Sequence, residues 1–365
     1  MRVLEVLGQS TGGVGVHVAE IVKALDGTDG LELEIAAPAD LRAPMPKAIV
    51  PVPVPGGLRG HGGAVRALRR VIGDGGYDLV HAHGLRAGMD TALAGRRAGV
   101  PVLVTLHNLI VPEVSGGLGA RVYRRVEPFV VRLSTRTFVP SREMAERLAA
   151  DAPRLASRIE VLYAGVGEVP EAVRSSSEVR AELGLTEDQK LVVTVARLHP
   201  QKAIDVMLRA VALGPDDVVI AVVGEGPLES ELRALAAALG ISGRVLFLGR
   251  RSDVHDLVAA ADVFCLSSVW EAVPLAAQEA VLLGTPVVAT DVGGLAELIS
   301  DRVSGRLVPK GDARALAAAL TEVLASDVER KRLAERARAD YSERFSRDRI
   351  LERLREVYIE HAPRN

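Results

Sequence analysis

Short runs of β-branched and aliphatic residues alternate with longer Ala/Leu/Arg runs of helical period along most of the chain. In the first half "RVLEVL", "LELEIAA", "AIVPVPV", "YDLVHAH", "PVLVTLH", "TRTFVP" and "RIEVLY" predict strands. Between them "GVHVAEIVKAL", "GGAVRALRRVI", "GMDTALAGRRA", "GARVYRRVEPFVVRL" and "SREMAERLAA" predict helices. The order breaks at "AGVGEVPEAVRSSSEVRAELG", where Gly, Pro and Ser punctuate the chain. It resumes with strands "KLVVTVAR", "DDVVIAVVG", "RVLFLG", "DVFCLSS", "TPVVATD" and "GRLV", then a helical tail rich in Ala, Arg and Glu. Strand–helix alternation with near-continuous apolar strands predicts parallel sheets covered on both faces. The expectation is an α/β chain of two doubly wound, Rossmann-like domains: 1–168 and 169–345. The amphipathic end "FSRDRILERLREVYIEH" has Ile350, Leu351, Leu354, Val357 and Tyr358 on one side.

The 365-residue length agrees with two cores rather than one. A formal net charge of −2 gives no long-range attraction for nucleic acid, and no aromatic-rich binding module appears. The one cysteine, Cys265, excludes an internal disulfide and sits in an apolar strand, where a buried small residue is expected rather than a nucleophile. No signal-peptide pattern and no apolar run of ~20 residues occurs, so the expected location is cytoplasmic.

Ligands of open α/β sheets bind beyond the carboxyl ends of the strands, which focuses attention on a few loops. After the first strand, Gly12 and Gly13 permit close approach to an anion at a helix start, but the spacing is not that of a dinucleotide fingerprint. No P-loop sequence is present. After "KLVVTV", Arg197 and Lys202 flank a helix start at Pro200, an arrangement suited to a diphosphate. Gly224 and Gly226 precede Pro227 in "GEGP" and allow the backbone to pass close to a ligand. The stretch "SSVWEAVPLAAQEAVLLGTPVVATDVGG" places Glu271 before a helix opened by Pro274 and Glu279 about one turn inside it. Were both helical, eight residues would separate them by ~12 Å at 1.5 Å per residue. That exceeds the ~5–9.5 Å of a glycosidase pair. Each carboxylate is therefore expected to hold its own vicinal hydroxyl pair, one on a sugar and one on a ribose, with free N–H groups around Val273–Ala276 facing a diphosphate between them.

These features together resemble the retaining glycosyltransferases of family 4, with the GT-B fold. The resemblance is carried by Glu271 and Glu279, by Arg197 and Lys202, by "GEGP", by "TPVVATDVGG" with Glu297, and by the N-terminal glycine pair. It implies that Glu271 binds donor-sugar hydroxyls, Glu279 the ribose, and Arg197 with Lys202 the diphosphate. Gly12 and Gly13 would approach donor or acceptor, and His107 in "LVTLHN" would lie beside the reacting sugar. Donor contacts would extend over Gly224, Gly226, Ala272, Val273, Pro274 and Leu275, with base recognition around Gly249–Arg251, including Arg250. It further implies residues 346–365 as a helix returning to the first domain. The implied reaction is metal-independent transfer, with retention, from a UDP- or GDP-linked sugar to a hydroxyl acceptor, a lipid, glycan or small metabolite. The family pattern usually has Gly where this chain has Ala203 and Ala272. Alanine there predicts a negative φ or an altered loop.

No D-x-D is present, and the cations already supply counter-charge, so no metal and no cofactor beyond the nucleotide sugar are expected. His81 and His83 share a strand face, but no third metal ligand is apparent from the sequence. Between Arg59 and Arg142, thirteen arginines face five acids, which reads either as solvated helix faces or as contact with an anionic membrane or phosphorylated acceptor. A nucleotide-sugar epimerase and a catalytically silent sugar-nucleotide-binding protein are the competing readings.

Overall fold

Two parallel sheets organise the chain. The computed structural model describes residues 1–9, 13–55, 59–108, 118–166, 169 and 171–362, with the backbone alone for 118–124. The first sheet comprises β1 (Arg2–Leu7), β2 (Glu32–Ala37), β3 (Ile49–Pro51), β4 (Leu79–His83), β5 (Val102–Thr105), β6 (Arg136–Val139) and β7 (Ile159–Val161). The second comprises β8 (Lys190–Val195), β9 (Val218–Val223), β10 (Val245–Gly249), β11 (Val263–Leu266), β12 (Val287–Thr290) and β13 (Arg306–Val308). Their orders are β3-β2-β1-β4-β5-β6-β7 and β10-β9-β8-β11-β12-β13. Each order reverses direction once, between β1 and β4 and between β8 and β11. Such a switch point leaves a crevice at the strand carboxyl ends, because the connections on either side leave in opposite directions.

The chain divides into Met1–Ala164 with Arg347–Asn365, and Gly165–Ser346. Central strands are buried on both faces, as their unbroken Val/Leu/Ile runs require: every residue of β9 and β11 is buried. Cys265 lies in β11 with no exposure, and desolvation pushes its thiol pKa well up, which agrees with the packing role expected of it.

The last helix, Arg347–His361, belongs to the first unit. Ile350, Leu354, Val357 and Tyr358 join the core formed by Val3, Leu7, Ile21 and Leu103. Arg347 pairs with Glu20 at 2.8 Å and Arg353 with Glu160 at 2.8 Å. Among the described residues, no helix is long and apolar enough to cross a membrane.

Candidate active site

The second unit gathers its candidate residues around the β8/β11 switch point. β8 is followed by Ala196–His199 and a short 3-10 turn, Pro200–Lys202, entered with proline as its first residue. Ala203 then adopts φ 43°, ψ 45°. The expected negative φ at this position is therefore not found: the turn keeps its left-handed form and alanine bears the strain, ~1–2 kcal/mol for an L-residue. Two hydrogen bonds hold the turn in that shape. Ser267 Oγ donates to the Ala203 carbonyl at 2.8 Å, and Val269 N–H donates to the Gln201 carbonyl at 2.8 Å. Ala272, by contrast, is not among the residues of positive φ.

This turn delivers Lys202 to Glu271. Its Nζ lies 2.5 Å from Glu271 Oε1, which also accepts from Ser268 Oγ at 2.6 Å. Glu271 is buried and Lys202 half-buried, so the pair is only weakly screened. The two residues read from the sequence as holding separate parts of a ligand are here directly bonded to each other. Arg197 and Arg250 are exposed. Trp270 Nε1, one residue before Glu271, is buried without a hydrogen-bond partner among the described residues.

The glycines explain how these loops close on one another. A Cβ on Gly224, at φ 130°, would stand 2.1 Å from the Ala196 carbonyl oxygen; one on Gly226 would stand 2.3 Å from that of Leu198. "GEG" thus lies directly against the Arg197 loop, and Gly224 N–H donates to the Gly249 carbonyl at 2.7 Å beside Arg250. Gly293 and Gly294 do the same beneath the Glu271 loop, where Cβ atoms would stand 1.6 Å from the Glu271 oxygen and 1.9 Å from that of Ala272. Close backbone approach, not flexibility, is what these positions demand.

Helix Leu275–Leu283 starts as expected, with Pro274 as its N-cap and Gly284 closing it at φ 79°. No side chain caps its N-terminus, which leaves the first N–H groups and the positive end of the helix dipole available to an anion. Glu279 is half-buried on this helix, with no ion-pair or hydrogen-bond partner among the described residues, and desolvation raises its carboxyl from 4.5 to about 7. A desolvated carboxylate without a partner is costly, which makes Glu279 a candidate functional position. Its neighbours on the same element are committed to structure: Gln278 donates to the Val273 carbonyl at 3.2 Å and meets Tyr341 Oη at 3.1 Å.

In the first unit Gly13 opens helix Gly13–Leu25 and is exposed; Gly12 lies outside the described residues. His107 is buried two residues beyond β5, with its pKa pushed well below the usual imidazole value by desolvation and then by His83 and His17. The third group missing from the sequence reading of His81 and His83 is Glu5. Its carboxylate and the two rings offer atoms within 4.8 Å of one another. Every such atom is engaged in a protein hydrogen bond. Glu5 was overlooked in the sequence; the signal was present as a lone acid inside an apolar, centrally buried strand.

Residues 175–340 match the family model described as "Glycosyl transferases group 1", and residues 11–167 the one described as "Glycosyltransferase Family 4". The chain is 33% identical to a D-inositol 3-phosphate glycosyltransferase of Salinispora tropica, over 96% of its own length and 81% of the relative's. It is 32% identical to the protein of the same name from Xylanimonas cellulosilytica, over 97% and 93%. This chain is a family 4 glycosyltransferase. Among solved structures, Anabaena Alr3699/HepE in complex with UDP and glucose matches with a TM-score of 0.83, 25% identity and 99% and 100% coverage. A sucrose-phosphate synthase from Thermosynechococcus elongatus, at TM-score 0.84 and 21% identity over 99% of each chain, shares the fold. The fold is GT-B, with N- and C-terminal Rossmann-like domains, as the sequence resemblance implied. In this glycosyltransferase the matched C-terminal region holds the Lys202–Glu271 pair, Arg197 and Glu279, and the matched N-terminal region holds His107.

Proposed function

We propose that this glycosyltransferase moves a hexosyl group, with retention, from a UDP-linked sugar to a hydroxyl acceptor, and that no metal takes part. The observation that carries the reading is the Lys202–Glu271 pair beside an uncapped helix start and an unpartnered, half-buried Glu279. Lys202, Arg197 and the N–H groups at Val273, Leu275 and Ala276 face the diphosphate. Gly224, Gly226, Ala272 and Pro274 let backbone approach it, and Gly249–Arg251 borders the base. Glu271 takes sugar hydroxyls and Glu279 the ribose diol. Preference for uridine over guanosine is supported by the UDP held by the HepE neighbour.

In this mechanism the bond from C1 of the sugar to the β-phosphate oxygen breaks while an acceptor oxygen bonds to C1 from the same face. The acceptor's proton passes to the departing phosphate oxygen. Negative charge grows on the diphosphate as C1–O lengthens, and Lys202, Arg197 and the helix end stabilise it more than in the ground state.

The acceptor binds the first unit. Arg66, Arg69 and Arg70 on helix His61–Gly75, and Arg125 and Arg132 on helix Leu118–Leu133, are exposed; the Arg121 and Arg124 side chains lie outside those described. This basic surface suits a phosphorylated acceptor, and a peripheral contact with anionic lipid is part of the proposal. Absence of vesicle pelleting at low salt would remove the lipid contact.

The deciding test is nucleotide release from UDP-, GDP- and ADP-sugars with and without hydroxyl acceptors. Acceptor-dependent UDP release with an α-linked product supports the proposal. An isomerised donor would mean an epimerase, and binding without turnover a silent receptor.

A further inference from the structure

The loop that leaves β10 is fastened at both ends. At its start Gly249 takes a positive φ of 62°, and its carbonyl accepts the Gly224 N–H at 2.7 Å. At its end Asp253 precedes helix Val254–Ala259. Two arginines stand side by side between them, in different surroundings. Arg250 is exposed, with no side-chain partner among the described residues. Arg251 is half-buried and lays its fork on Asp253, Nε to Oδ1 at 2.7 Å and Nη2 to Oδ2 at 2.6 Å.

Arg251 Nη2 also donates at 2.9 Å to Oε1 of Glu182, the last residue of helix Ser176–Glu182. Glu182 Oε2 in turn takes Arg174 Nη1 at 2.6 Å, and the same Nη1 reaches Asp253 Oδ2 at 3.2 Å. Two arginines and two acids thus close a ring, each cation on both anions. Side-chain hydrogen bonds to these partners raise the pKa of both arginines and lower that of both acids, so all four are charged. The backbone is fastened alongside: buried Asp256 accepts from the Val173 N–H at 2.7 Å and the Arg174 N–H at 3.3 Å. Ion pairs open to water add little stability. What this ring supplies is geometry. The Arg251 fork meets Asp253 in one plane, and Arg174 ties the same carboxylate to Glu182, so the end of the loop cannot swing without parting both.

We propose that this ring positions the loop Gly249–Asp253 as the base-selecting edge of the nucleotide site. Arg174, Glu182, Arg251 and Asp253 are positioning residues: their charges are committed to one another, and none needs to touch the ligand through its side chain. The loop leaves the carboxyl end of β10, the end at which open α/β sheets take ligands, and Gly224 ties it to the "GEGP" loop. Bases differ in the donors and acceptors along their edges, and a hydrogen bond from loop backbone to such an edge weakens steeply when the loop is displaced. A loop held at both ends therefore discriminates where a loose one does not. The nucleotide rests on the function proposed above; the ring does not.

The test is titration calorimetry of the full chain with UDP and with GDP, which carry the same diphosphate and differ in the base. In the wild type UDP is expected to bind more tightly than GDP. Glu182→Gln and Arg174→Met alter side chains that are not buried and lie outside the loop. Each should weaken UDP by about fivefold, the order of one hydrogen bond, and leave GDP unchanged, so that the preference shrinks. Ser175→Ala is the control. It removes the N-cap of the same helix and spares the ring, so Tm should fall while the preference for UDP stays. A preference kept in both ring variants, or lost equally in Ser175→Ala, overturns the proposal, and so does a wild type that binds the two nucleotides alike. Binding of neither would remove the nucleotide-sugar reading and the proposal with it. Should GDP prove the tighter ligand, uridine is the wrong base, and the ring stands only if its variants weaken GDP instead.

Discussion

Replacing Glu279 by glutamine separates what this residue costs the fold from what it gives the ligand. Burial raises its carboxyl from 4.5 to about 7, so the folded state holds that proton more tightly than the unfolded chain. The contribution to stability is fully present below pH 4.5 and is lost as pH climbs towards 7. At ~1.4 kcal/mol per pH unit, the charged side chain costs the free protein about 3 kcal/mol at pH 8. Glutamine keeps the shape and cannot ionise. Glu279→Gln should therefore match the wild type near pH 4.5 and exceed it by up to about 3 kcal/mol at pH 8. In a unit of this size that is a rise in Tm of roughly 6–12 °C. Thermal unfolding across pH 4.5–8 without nucleotide is the assay. The amide offers one acceptor where the carboxylate offers two, so UDP affinity should fall by about tenfold, the worth of one charge-assisted hydrogen bond. A Tm difference that does not grow with pH, or a variant less stable at pH 8, would refute the assignment of Glu279 as an unpaired, half-buried carboxylate.

Other substitutions probe the rest of the site. Lys202→Met should reduce kcat by about 10²–10³, the worth of one group placed at developing charge; it should also cost about 2 kcal/mol in chemical denaturation, because among the described residues Glu271 keeps only Ser268. Gly294→Ala drives a Cβ to 1.9 Å from the Ala272 oxygen, so calorimetry should show a loss of ~1–3 kcal/mol and turnover should fall with the displaced loop. Ala203→Gly relieves ~1–2 kcal/mol of left-handed strain but gives back ~0.5–1 in chain entropy and ~0.8 for a buried methyl. Stability should then stay within about 0.5 kcal/mol by urea titration, with activity kept.

Both sheets were legible because parallel strands buried on two faces leave unbroken Val, Leu and Ile runs, and because Gly and Pro mark their ends. The loops after β8, β9 and β11 were legible for a related reason: a sheet with one switch point confines ligands to few places. What the chain did not disclose is pairing across long separations. Glu5 meets Tyr358 from 353 residues away, and periodicity carries no information about partners. Lys202 and Glu271 were each read as ligand contacts, yet charge alone could not show that they bond to each other. Ala203 was misjudged because propensity argues for the cheapest backbone, whereas Ser267 and Val269 hold this turn in a costlier one.

The composite make-up of the first unit bears on how the polypeptide matures. Its core is missing Leu354, Val357 and Tyr358 until translation has passed the whole intervening segment 165–346. The segment in between is continuous in sequence and can close as it leaves the ribosome. The half that emerges first is therefore the half that finishes last, and its Glu5 and His81 gain Tyr358 as a partner only at that final step.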